Sequence, residues 1–262
     1  MPYAQSDLRI HYRVVGDGPP VLWHTGGCGD GRMWELAGYL DGLPGYTHLL
    51  MDHRGRGRSD APMDLAGHVM PRYVADALAV LDAAGADRAA FVGYSFGAHV
   101  GFALGLSNPR RLTGLVALDS FPDPADTPSA ARADALRVLA RGTRDVIEEF
   151  VASEREPVPA WLVEELCATD SLAFAGSIEA QAIEPDLWGE ASSLNLRVLL
   201  VLGIDEGDQR ETALGRRLVQ GLPHGELVTL DVAHLAAFHR VDLTLPPLER
   251  FLDDVSRSLT SG

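Results

Sequence analysis

One short stretch limits the folds open to this chain more than any other. Ala89 to Val92 is an apolar run that reads as a buried strand, and it leads straight into Gly93-Tyr94-Ser95-Phe96-Gly97. Ala98 to Leu106 then has the composition of a helix. A serine between two glycines at a strand-to-helix junction sits in a bend too sharp for flanking side chains. Such a turn lifts the hydroxyl off the edge of a sheet. The first turn of the helix adds backbone N–H groups and the positive end of its dipole.

The remaining elements extend that sheet. Leu8 to Val15 alternates apolar and polar residues before the turn Gly16-Asp17-Gly18-Pro19, as an early strand or hairpin would. Val21 to His24, His48 to Met51, Leu115 to Leu118, Arg197 to Leu202 and Leu227 to Leu230 are short, mostly aliphatic runs. Tyr73 to Ala84, Thr212 to Leu222 and Leu248 to Leu259 read as helices. Continuous aliphatic strands alternating with helices predict a mostly parallel sheet covered on both faces, an α/β fold. The rhythm breaks between Phe121 and Ser193, where helical segments (Arg132 to Arg141, Thr143 to Ser153, Trp161 to Ala168, Ser171 to Ala182) follow one another with no strand between them. The expected organisation is a core of residues 1–120 and 194–262, with 121–193 as a helical lid between two strands.

Charge narrows the chemistry. The chain carries 22 basic and 37 acidic residues, a net charge of −15, which argues against a nucleic-acid partner. Every basic residue is arginine. Without lysine there is no Schiff base, no phosphate-loop amine and no lysine general base. From Phe121 to Glu190 the balance is 15 acidic to 5 basic residues, which reads as a solvated acidic lid surface, with mild electrostatic rejection of anionic substrates as the alternative. Two cysteines far apart, Cys28 and Cys167, suggest neither a disulfide framework nor a thiolate metal site. No apolar run is long enough to cross a bilayer, and Met1 to Ile10 has neither the basic start nor the apolar core of a leader, so a cytoplasmic protein is expected.

A serine nucleophile needs a base. Of nine histidines, His234 lies just past the strand ending at Leu230, at the same carboxyl edge of the sheet as Ser95. His239, the nearest rival, reads as structural. The base needs a carboxylate to hold its tautomer. Asp205 is the first acid past the strand Arg197 to Leu202, which gives the chain order Ser, Asp, His. Glu206 and Asp208 lie close by, and Asp119, which ends the strand Leu115 to Leu118, faces the same edge. The oxyanion of an acyl-transfer intermediate needs two N–H donors. The expected pair is Phe96, next after the nucleophile, and Gly26 in His24-Thr25-Gly26-Gly27, with Gly27 close behind. His24 reads as a loop organiser, His99 as packed on the helix, and the arginine-rich block 54–60 as a structural loop bracing the serine turn.

His24-Thr25-Gly26-Gly27, Asp52-x-Arg54-Gly55-x-Gly57-x-Ser59, Gly93-Tyr94-Ser95-Phe96-Gly97 and Ala233-His234 together resemble the α/β-hydrolase superfamily, and most closely its compact, lidded esterase and lactonase-like members. The resemblance implies an eight-stranded, mostly parallel sheet, a lid between strands six and seven, and no cofactor or metal. Three positions depart from it. Thr25 stands where the family usually has glycine, Asp205 lies two residues past Gly203 where three is commoner, and Ala233 precedes the histidine where glycine is common. The expected activity is hydrolysis of a small to medium, uncharged or weakly polar ester or lactone through an acyl-enzyme. Perhydrolase, acyltransferase or C–C hydrolase activity with the same three residues is the alternative, and a receptor-like binding module the more distant one.

Overall fold

The computed structural model describes residues 2–123, 128–182, 187–204 and 209–260. Its centre is an eight-stranded sheet: β1 (Tyr3–Gln5), β2 (Arg9–Val15), β3 (Pro20–His24), β4 (Thr47–Met51), β5 (Ala89–Tyr94), β6 (Leu112–Leu118), β7 (Arg197–Gly203) and β8 (His224–Leu230). The spatial order is β1-β2-β4-β3-β5-β6-β7-β8. The pairs β1/β2 and β2/β4 are antiparallel, and from β4 through β8 every pairing is parallel.

Alternate residues of each central strand serve different cores. Leu22, Phe91, Leu115 and Leu200 face the cluster that also holds Tyr73, Val80, Val100 and Phe102, from the helices Met70–Ala83 and Phe96–Ser107. Val21, Trp23, Val92, Val116 and Leu199 face the opposite cluster, with Trp34, Leu248, Phe251 and Leu252 from the helices Arg32–Leu36 and Val241–Thr260. Burial on both sides explains why these strands read as continuous apolar runs.

The closing helix begins at Val241, earlier than its sequence suggests, and carries Pro246 and Pro247 inside it. A proline pair ordinarily marks a helix start, so the preceding turn was invisible to the pattern. Between β6 and β7 the described residues form five helices and no strand: Pro128–Arg141, Thr143–Ala152, Ala160–Cys167, Ser171–Ala182 and Leu187–Ala191.

Parallel strands bring the carboxyl ends of β3, β5, β6, β7 and β8 to one rim. The register pairs Tyr94 with Leu118 and Leu118 with Val201, so the residues just past β5 and β6 are lateral neighbours.

Candidate active site

Ser95 follows β5 directly and caps the next helix at φ 51°, ψ −117°. A non-glycine residue there carries backbone strain of order 1–2 kcal/mol. Its neighbours have no space to spare. A Cβ on Gly93 would meet the Gly97 carbonyl oxygen at 2.2 Å, and one on Gly97 would meet the His24 carbonyl oxygen at 2.5 Å. The turn is held by Ser95 N–H donating to the Leu118 carbonyl at 2.9 Å.

His234 Nε2 lies 3.2 Å from Ser95 Oγ. On its other side, Nδ1 is 2.7 Å from Asp119 Oδ2. Asp119 follows β6 and has φ 56°; it and Ser95 are the two non-glycine residues with positive φ among the described residues. Its backbone N–H donates to Val201 O at 2.7 Å, and its Oδ1 accepts from Gly203 N–H at 2.7 Å. The carboxylate is thus braced on β7 while it faces the imidazole. With the Nδ1 proton held toward Asp119, Nε2 is left to accept from the serine hydroxyl. Burial alone would pull the His234 pKa down, but the charge of Asp119 and its hydrogen bond outweigh this and leave it raised.

Of the residues expected at the site, Ser95 and His234 meet. Asp205, with Glu206 and Asp208, lies outside the described residues, and the carboxylate beside His234 is Asp119. The reason is adjacency. Counting forward from β7 finds the first acid in the chain, whereas β6 lies between β5 and β7 and its end is closer to Ser95. The available signal was an aspartate placed immediately after a strand, with no loop between.

Gly26 lies against Ser95: a Cβ there would sit 3.3 Å from Ser95 Cβ and 3.1 Å from the Tyr94 ring. Its loop is tied down from below. His53 Nε2–H donates to Gly26 O at 3.0 Å, and His24 Nδ1–H donates to Thr25 O at 2.8 Å. The two imidazoles stack at 4.5 Å, and burial drops the His24 pKa to about 4 and that of His53 well below 6.5, so both stay neutral. Phe96 is buried edge-on against Tyr73 at 4.7 Å, which anchors the first turn of its helix.

The arginine-rich block is structural, and its two buried arginines do different things. Arg54 forks onto the buried Asp76 through Nε and Nη2, both at 2.8 Å. Arg56 donates to the carbonyls of Gly27 and Ala173 and to Ser177 Oγ. It therefore braces the Gly26-Gly27 loop rather than the serine turn, and it joins that loop to the helix Ser171–Ala182. His99 is packed as expected, with Nε2 3.1 Å from Ser120 Oγ, and burial lowers its pKa to about 4.

Above Ser95 opens a cavity of about 550 Å³. Ile147, Phe150, Leu166 and Phe174 from the inserted helices line it, opposite Cys28 and Leu235. Burial pushes the Cys28 thiol up to about 12, so it is no thiolate nucleophile at neutral pH. Phe174 lines the cavity, whereas Trp188 packs on Phe121 with ring centroids 6.3 Å apart. The charged lining is one mutually paired couple, Arg137 and Glu149. Among the described residues, no group of three His, Cys, Asp or Glu is arranged to hold a metal ion, and no helix is long and apolar enough to cross a membrane.

A mostly parallel eight-stranded sheet, with a strained serine after its fifth strand and a histidine after its last, defines the α/β-hydrolase class. The family model for the alpha/beta hydrolase fold matches residues 19–170, more than half of the chain, and the chain belongs to that family. It is 34% identical over 121 residues to a putative carbamate hydrolase, RutD, from Variovorax paradoxus strain S110, a match that spans 45% of this chain and 44% of that protein. It is 25% identical over 96% of each chain to a putative 2-succinyl-6-hydroxy-2,4-cyclohexadiene-1-carboxylate synthase from Bacillus subtilis strain 168. In fold it is similar to the enol-lactonase from Burkholderia xenovorans LB400, with TM-score 0.84, 24% identity, and coverage of 96% of this chain and 100% of that one. An esterase from Thermogutta terrifontis superposes with TM-score 0.82 at 21% identity, covering 95% of this chain and 94% of that one.

Proposed function

We propose that this chain is a serine hydrolase of small to medium carboxylic esters or lactones, with residues 121–193 acting as its lid. One observation carries the reading: His234 stands 3.2 Å from Ser95 Oγ and 2.7 Å from Asp119 Oδ2. Ser95 attacks the carbonyl carbon while His234 Nε2 takes the hydroxyl proton. Asp119, in place of Asp205, holds the imidazole and stabilises the imidazolium. The N–H groups of Phe96 and Gly26 receive the oxyanion. The imidazolium returns its proton to the departing alkoxide, and an acyl-enzyme remains. His234 then activates a water, which releases the acid and restores Ser95.

The apolar lid residues around the cavity support an uncharged acyl or alcohol portion, since the charged pair Arg137 and Glu149 is already satisfied. The test is labelling with a fluorophosphonate beside turnover of short p-nitrophenyl esters, simple lactones and an aryl carbamate. Adduct formation at Ser95 and burst-phase ester turnover, both abolished in Ser95→Ala, are the expected results. A protein that takes the label but turns over no ester or lactone sinks the reading.

A further inference from the structure

The three residues that follow the lid helix Thr143–Ala152 and Ser153 form a charged strap across the loop that bears the base. Arg155 pairs with Asp231 at 3.1 Å and donates to Ile204 O at 3.0 Å. Glu156 accepts from Arg240 Nη1 at 3.0 Å. These contacts are largely exposed and hold the strap in register rather than adding much stability.

Glu154, the first residue of the strap, points inward. It lies beside the lid residue Phe150, whose ring meets the His234 imidazole edge-on at 5.8 Å. Its Oε2 is buried and has no hydrogen-bond partner. His234 is held on its other flank as well, because Tyr94 Oη–H donates to its carbonyl oxygen at 3.1 Å. A buried carboxylate oxygen left without a donor is expensive, and it persists where its charge has a use. The charges of both Asp119 and Glu154 favour the protonated imidazole of His234.

We infer that Glu154 is a positioning residue for the base: the lid delivers a second carboxylate to the His234 loop, setting buried negative charge against the imidazolium that forms during acyl transfer. This rests on the reading of Ser95, His234 and Asp119 given above. The groups that act on His234 are Asp119 from the end of β6, Glu154 from the lid, and Glu211 from the helix Gln209–Gly221. Those acting on Glu154 are His234, Asp119 and Arg155, and its own burial holds its pKa above the usual carboxylate range. Negative charge at 154 favours the protonated imidazole, so its removal must lower the His234 pKa.

The decisive measurement is an NMR titration of the histidine ring protons, with His234 assigned by its loss in His234→Gln. In Glu154→Gln, which removes the charge at almost unchanged size, the His234 midpoint is expected to fall by roughly half a pH unit or more. The acid limb of kcat/KM for a p-nitrophenyl ester should move down with it. Glu154→Asp should fall between the two and provides a second folded variant. A His234 midpoint that matches wild type in either folded variant overturns the inference. Because the titration needs no turnover, it decides the role of Glu154 even if wild type hydrolyses no ester, an outcome that instead counts against the proposed function.

Discussion

The two sides of the cavity are built by different physics. The core side comprises Ser95, Asp119 and the Gly26-Gly27 loop, and it stands on strand ends whose backbone bonds to neighbouring strands. Two of its residues carry left-handed backbone, which only a surrounding sheet can impose. The lid side consists of side chains from helices, with ion pairs such as Arg137–Glu149 and Arg144–Glu148 at least partly exposed. On the core side a displacement of a fraction of an ångström alters chemistry. On the lid side it alters which molecules fit.

Four substitutions or measurements would break or sharpen that contrast. Asp119→Asn should lower kcat/KM about 10³- to 10⁴-fold, because the amide favours the wrong imidazole tautomer, whereas Asp205→Asn should stay within about twofold of wild type. A large loss in Asp205→Asn with an active Asp119→Asn would move the acid to the loop after β7. Next comes Gly26→Ala. Its methyl would crowd Ser95 Cβ at 3.3 Å and the Tyr94 ring at 3.1 Å. A fall of about 10- to 100-fold in kcat, with KM little changed, is expected from a displaced oxyanion donor.

The pH profile ranks third. His234 must be neutral to accept the serine proton, and its pKa is raised above the ordinary 6.5 by Asp119. Activity should therefore be full above that raised pKa and decline about tenfold per pH unit below it. A profile flat through pH 6 would contradict the histidine assignment. The smallest effect belongs to the lid: Phe174→Ala should raise KM about threefold to tenfold while leaving kcat nearly intact. An equal loss in kcat would mean that the lid side is as exacting as the core side.

The same contrast governs how much could be read from the sequence. Strand periodicity, the Gly93-Tyr94-Ser95-Phe96-Gly97 turn and the position of His234 are local in the chain, and all three were legible. Asp119 was visible as a candidate but ranked low, because its claim depends on which strands are neighbours rather than on which acid comes next. Glu154 left no mark, and Arg56 was legible only as part of a structural arginine block, not as the brace of the Gly26-Gly27 loop. Their roles arise from contacts across long separations, as between Arg56 and Ser177, and no spacing rule encodes those. The closing helix was legible only from Leu248 onward, whereas it starts at Val241 and carries Pro246 and Pro247 inside it.

Arg56 sets a limit on how this site can fail. It bridges the Gly26-Gly27 loop and the helix Ser171–Ala182 through carbonyl and hydroxyl acceptors, none of which titrates. Burial weakens its hold on its proton, but a guanidinium keeps its charge throughout the range where imidazoles and carboxylates change theirs. Mild acid should then silence the enzyme while leaving the loop still clasped to its cover. Such loss ought to reverse fully on neutralisation, as protonation of a base does and the collapse of a scaffold often does not.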